Sequence, residues 1–211
     1  MNSPSLTLPQ RAAVAKVACG VEAAGGLALL CGPSGVGKTL VLEQLATEDR
    51  LADRCSGVRD VAGWLAVAGD LPQLVLADDA HLATEADLVR LLARCRAGQA
   101  ATALVLAGQG RLLTLVARER RLEQAVRIRA TLLPGSVADT EQLLAAGRER
   151  TGWPLFDSAA LTTIHEITAG IPADIVRLAD LAGVVAATRA DGCLTSADIE
   201  AIHRRLTPLA A

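Results

Sequence analysis

Aromatic residues are almost absent from this chain: among 211 residues there are two tryptophans, one phenylalanine and no tyrosine. A stacking platform for single-stranded nucleic acid needs successive exposed rings, and three aromatic residues in the whole chain nearly exclude one. Lysine is nearly as scarce, Lys16 and Lys38 being the only lysines among 21 basic residues. The five cysteines are odd in number and show no C-x-x-C spacing. That argues against a disulfide framework and against a zinc site, and it suits a reducing compartment. No apolar run approaches the ~20 residues of a membrane span. The opening Met1-Asn2-Ser3-Pro4-Ser5 lacks the basic and apolar stretches of a secretory leader. The expected location is therefore cytoplasmic, with no direct membrane insertion. A net charge of -2 and a pI near 5.9 provide no global attraction to nucleic acid or anionic lipid. The local cluster Arg118, Arg120 and Arg121 reads either as a solvated helix face or as a local anion contact.

What the chain does have is aliphatic bulk. A hydrophobic content of 51% is enough for a real core of Leu, Val and Ala, and the length suits one large domain or a main domain with an appendage. Helix and strand signals alternate through the first two-thirds. Helices are expected over 9–24, 38–47, 84–96, 109–121 and 136–150. Strands are expected over 27–31, 74–78, 102–107 and 126–133, and residues 54–68 read as a short strand followed by a helix carrying Trp64. Such alternation implies a parallel sheet wrapped by helices. After Thr151-Gly152-Trp153-Pro154 the strand signals vanish. Residues 158–168, 172–189 and 196–205 are helical in period, with Asp157 and Thr195 as N-cap candidates. The expected division is an α/β domain over 1–135 and a small all-helical domain over 136–211. Trp153 and Phe156 are expected in the seam between them. The three isolated histidines, His81, His165 and His203, read as turn or helix-surface residues and not as metal ligands.

The most informative stretch is Gly32-Pro33-Ser34-Gly35-Val36-Gly37-Lys38-Thr39. It matches G-x-x-x-x-G-K-[ST], a loop that cradles phosphates with backbone N–H groups when it lies between a strand and a helix. Leu27 to Cys31 supplies the strand and the residues after Lys38 supply the helix. A compact, rotatable ammonium suits a phosphate, and the Thr39 hydroxyl suits the oxygen shell of Mg²⁺. ATP with Mg²⁺ is thus the expected ligand. Leu74-Val75-Leu76-Ala77-Asp78-Asp79 is an apolar strand ending in two carboxylates. In this arrangement, known as Walker B, Asp78 is the metal candidate and Asp79 the candidate base for the attacking water.

Asp78-Asp79-Ala80-His81-Leu82 and Leu104-Val105-Leu106-Ala107-Gly108-Gln109 resemble the D-E-A-x-x-L and L-x-G-Q segments of the AAA+ ATPases of the general secretion pathway protein A (ExeA) type. Arg127-Ile128 with Leu133-Pro134, Arg148 to Phe156, and Ile164 to Pro172 resemble later segments of that family, so the likeness runs over roughly residues 9 to 205. It implies an αβα nucleotide-binding domain with a helical lid, ATP-dependent homo-oligomers and action on a protein partner. It implies a polar sensor at Gln109 and, at Arg127, an arginine lent to the neighbouring subunit's site. A surface ion pair is an equally simple role for Arg127.

The sequence departs from the family at three places. Asp79 stands where the family usually has Glu, which would slow hydrolysis. Ala173 replaces the lid arginine, leaving Arg177 one turn further on as a substitute contact to nucleotide. The interval between the two Walker motifs is short. Two other functions remain open: a DNA-associated regulator of the transposition-helper type, disfavoured by the acidic pI and scarce lysine, and a nucleotide-gated module with negligible turnover.

Overall fold

The computed structural model describes residues 6–22, 25–97, 102–188 and 193–206. These fall into two compact units, Pro9–Leu133 and the described parts of Met1–Leu8 with Pro134–Ala211. The first is built as α1 (Leu8–Val21), β1 (Leu27–Cys31), α2 (Lys38–Thr47), β2 (Cys55–Asp60), α3 (Val61–Ala66), β3 (Leu74–Asp78), α4 (Glu85–Ala97), β4 (Ala103–Gly108), α5 (Gly110–Arg118), α6 (Arg120–Ala125) and β5 (Val126–Thr131). The second holds α7 (Val137–Thr151), β6 (Leu155–Phe156), α8 (Ser158–Thr168), α9 (Pro172–Ala186), β7 (Cys193–Leu194) and α10 (Ser196–Leu206). The expected helix ends at Ala24 and Arg189 lie outside the described residues.

The five strands of the first unit form one all-parallel sheet in the order β2-β3-β4-β1-β5. A strand covered by helices on both faces reads as a continuous apolar run. The three interior strands have such sequences, Leu-Ala-Leu-Leu-Cys, Leu-Val-Leu-Ala-Asp and Ala-Leu-Val-Leu-Ala-Gly, and their apolar residues are all buried. The edge strands Cys-Ser-Gly-Val-Arg-Asp and Val-Arg-Ile-Arg-Ala-Thr mix charge with apolar residues, and half of their residues are exposed.

Two side chains anchor α3, one to the sheet and one to α4. The indole N–H of buried Trp64 donates to the Leu76 carbonyl at 2.7 Å. Arg94, on α4, spreads its guanidinium over the carbonyls of Trp64, Leu65, Val67 and Gly69 at 2.9 to 3.1 Å. It thereby satisfies the carbonyls that a helix end leaves without partners.

In the second unit, Ser136 caps α7 in a reciprocal box with Asp139, and Asp157 caps α8 by accepting from the Ala160 N–H at 2.7 Å. Three local expectations need correction. The helix expected over 109–121 is broken at Glu119, whose carboxylate accepts from the Arg121 N–H at 2.9 Å and so starts α6. Strands do not vanish after Trp153, because the two-residue β6 and β7 pair in parallel through Leu155–Cys193 and Phe156–Leu194. Trp153 and Phe156 belong to the helical unit's own core with Ala160, Ile164 and Leu178. The Trp153 ring lies over Gly147, where a Cβ would overlap it, and its N–H donates to Asp180 at 2.8 Å.

Replacing Arg94 by alanine leaves several carbonyls at the end of α3 without a partner, and is expected to cost roughly 1.5–3 kcal/mol. Lysine should not restore the loss, since one ammonium cannot span the same carbonyls. Urea unfolding of both variants tests this; a lysine variant as stable as wild type would contradict it.

Candidate functional site

Parallel strands all present their C-terminal ends at one edge, where open α/β sheets bind their ligands. The phosphate loop follows β1, Asp78 ends β3, and Gln109 follows β4, which lies between those two strands. Cys31 pairs with Gly108 in register, and the Gly32 N–H donates to the Gly108 carbonyl at 3.2 Å, so Gln109 leaves the sheet beside the first residue of the loop.

Backbone geometry explains two of the loop's glycines. Gly37 sits at φ 97°, ψ 32°, left-handed backbone that side chains resist. A Cβ there would also overlap the amide of Gln10, which reaches from α1 to donate to the Val36 carbonyl at 3.0 Å. At Gly32 a Cβ would collide with the Leu132 carbonyl. No side chain caps α2 at Gly37, so its first turn keeps donors and the positive end of the helix dipole for an anion.

Lys38 is only 7% exposed. Its ammonium donates to the carbonyls of Gly32 at 3.1 Å and Pro33 at 2.7 Å. Burial pushes its pKa below the ordinary lysine value, opposed by attraction to Asp78, Asp79 and Cys31. The same burial raises the Cys31 thiol, which Lys38 and Arg129 pull back down.

Thr39 donates its hydroxyl to Asp78 Oδ2 at 2.5 Å, and Asp78 Oδ1 accepts from the Asp79 N–H at 2.8 Å. The two residues expected to hold Mg²⁺ thus lie side by side as hard oxygen donors, a set that suits this ion. Asp79 occupies left-handed backbone, φ 47°, and its side chain is 60% exposed. Ser34 and Pro33 are exposed at the tip of the loop, Gly35 is half-buried and Val36 is buried.

Arg127 lies elsewhere. It is the unpaired residue of a bulge at the start of β5, with Leu27 opposite Val126 and Ala28 opposite Ile128. Its side chain passes over Gly26, where a Cβ would come within 2.8 Å of its Cδ. That is the N-terminal edge of the sheet, separated from the phosphate loop by the length of β1, about 13 Å. Among the described residues Arg127 has no ion pair, whereas Arg129 pairs with Glu123 at 2.6 Å. Arg177 is exposed on α9, on the same face as exposed Ala173.

Sequence reasoning misses Gln10, Arg111 and the environment of His81. His81 is 8% exposed and so not a surface residue. It sits in the 3₁₀ turn Ala80–Leu82, where its carbonyl accepts from Arg111 at 2.7 Å. No local pattern marks these contacts, which join residues 26 to 30 positions apart.

This arrangement defines the architecture: the chain has the fold of AAA+ P-loop NTPases. Solved structures that superimpose on it include the RuvB Holliday junction branch migration motor of Thermotoga maritima, with a TM-score of 0.73, 16% identity, and coverage of 96% of this chain and 72% of that one. Domain III of the replication initiation protein DnaA from the same organism gives 0.69 at 12% identity, covering 93% of this chain and 90% of that one. The FIGL-1 AAA domain gives 0.63 at 16% identity, covering 97% of this chain and 82% of that one. In sequence, the chain is similar to general secretion pathway protein A of Aeromonas hydrophila, at 29% identity over an alignment of 228 positions that covers 89% of this chain. It spans 42% of that relative's length. No protein-family model matches the chain.

The lowered pKa of Lys38 means that the unfolded chain holds this proton more tightly than the folded one. Folding stability from this group therefore rises with pH up to the ordinary value of 10.5. A buried cation of this kind does not hold the fold together. Lys38→Met should melt at or above the wild-type midpoint without nucleotide, by calorimetry, and a drop beyond about 5 °C would contradict that.

Proposed function

We propose that the protein binds ATP with Mg²⁺ at the C-terminal edge of its sheet and hydrolyses it slowly, within an ATP-dependent homo-oligomer that acts on a protein partner in the cytoplasm. The observation that carries this reading is the convergence of the Lys38 ammonium, the Thr39–Asp78 pair and Asp79 on one uncapped helix start. Ser34 to Thr39 offer backbone donors to the phosphates, and Lys38 exchanges carbonyl partners for phosphate oxygens. Thr39 and Asp78 would hold Mg²⁺, which supplies charge neutralisation between phosphates when bound. Asp79 accepts the proton of the attacking water, and Gln109 orients it. Arg177 would reach nucleotide from the lid, in place of the arginine missing at Ala173.

Arg127 is read as acting in trans. It is exposed at the sheet edge opposite its own phosphate loop and has no carboxylate partner among the described residues. Only a neighbouring copy can bring it to a γ-phosphate, where an arginine offsets developing charge. The domain division at residue 135 belongs to the same reading.

The trans role makes a mixture of two inactive variants informative. Lys38→Ala keeps its finger and lacks a site; Arg127→Ala keeps its site and lacks a finger. Mixed interfaces should recover part of the wild-type turnover, and wild-type specific activity should rise with protein concentration. Co-assembly of the variants without any recovery would contradict the role of Arg127. ATP-dependent assembly with no turnover at all would favour the nucleotide-gated module, and stimulation by duplex DNA would favour the DNA-associated reading. Asp79→Asn should remove turnover and leave ATP affinity within about threefold, as expected of a water-activating carboxylate.

A further inference from the structure

His81 carries an unexplained polar atom. Its side chain is 10% exposed, and Nδ1 is fully buried with no hydrogen-bond partner among the described residues. Leaving such an atom unsatisfied costs roughly 1–3 kcal/mol, and buried side-chain nitrogens without partners are rare enough to need a reason. The nearest carboxylate oxygen recorded is Asp79 Oδ1, at 3.8 Å. That is about 1 Å beyond a hydrogen bond, a gap that a rotation of the exposed Asp79 carboxylate can close.

The backbone around this pair is fixed from several sides. Asp79 is held at φ 47°, a conformation that costs a non-glycine residue about 1–3 kcal/mol and persists only where its surroundings enforce it. The enforcement is visible. The Asp79 N–H is bound to Asp78 Oδ1, and the Leu82 N–H donates to the Asp79 carbonyl at 2.9 Å. Arg111 holds the His81 carbonyl, and Gly108 leaves room for the turn, since a Cβ there would stand 3.1 Å from both the His81 nitrogen and its Cβ. The strained turn thus presents a buried imidazole to an exposed carboxylate.

We propose that His81, as the neutral tautomer with its proton on Nδ1, is a positioning residue for Asp79. It donates to Oδ1 and fixes the carboxylate plane, leaving Oδ2 for the attacking water. The role fixes the orientation of a carboxylate that is otherwise open to solvent. This proposal rests on the reading of Asp79 as the base, and deepens it.

Three substitutions separate positioning from packing. In His81→Asn the amide nitrogen takes the place of Nδ1; in His81→Gln it takes that of Nε2; His81→Leu fills the space with no donor. The asparagine variant should keep most of the wild-type kcat. The glutamine and leucine variants should lose about tenfold or more, a change on the order of 1.4 kcal/mol in the barrier, with KM for ATP and ATP affinity unchanged. Urea midpoints for all three identify any loss due to unfolding. Equal loss in the asparagine and leucine variants, or a loss that follows stability or KM, overturns the proposal.

A second readout does not depend on turnover. The chain has three histidines, so ¹⁵N spectra of histidine-labelled protein can be assigned with His81→Asn. A protonated Nδ1 on His81 that shifts in Asp79→Ala supports the contact. An Nε2–H tautomer indifferent to Asp79→Ala overturns it, whether or not the wild type hydrolyses ATP; absent turnover with the shift present faults only the assignment of Asp79 as base.

Discussion

The burial of three adjacent parallel strands on both faces is the constraint on which the rest of the site depends. Because β3, β4 and β1 have no polar face, their chemistry can appear only where they end. Because they are parallel and adjacent, they end together. A phosphate loop, a carboxylate pair and a polar amide are thereby brought to one edge from residues far apart in sequence. The edge strand β5 places Arg127 at the other end of the same sheet. The separation that denies Arg127 its own site is thus a consequence of strand direction and not of side-chain packing.

Within that edge, charge is arranged asymmetrically. The Lys38 ammonium is buried among carbonyls, at a desolvation cost that the nearby Asp78 and Asp79 only partly offset. A polyphosphate would bring the missing negative charge, so affinity for the ligand and discomfort of the unliganded cation have one origin. Asp78 is committed through both oxygens, one to Thr39 and one to the Asp79 N–H. Asp79 is the opposite case: strained in backbone, with a side chain 60% exposed and 3.8 Å from His81 Nδ1. That contrast fits a metal holder beside a proton acceptor, and it makes the carboxylate's orientation the weakest point of the constellation.

Much of this is legible in the sequence, for identifiable reasons. Interior strands show as unbroken apolar runs because both faces are covered, and the phosphate loop shows because its backbone demands glycine at fixed positions. The α7 start shows because Pro134-Gly135 breaks the chain just before Ser136. Other features lack local signals. Glu119 ends one helix and caps the next with no glycine or proline to mark the break. The strands β6 and β7 are two residues long, too short for any periodicity. Trp153 is placed by Gly147 and Asp180, and Gln10 by Val36, all through contacts made only once the chain has folded. His81 looks isolated in sequence because its partner is defined by a turn, and a left-handed aspartate cannot be read from residue types.

The central claim is that the loop from Gly32 to Thr39 recognises a polyphosphate. Calorimetric titration of the wild-type protein with ATP, ADP and AMP in the presence of Mg²⁺ tests it most directly. The account predicts binding of ATP and ADP and at least a hundredfold weaker binding of AMP, a difference of about 2.7 kcal/mol. Equal affinities for the three nucleotides, or no binding of ATP by folded protein, would contradict it.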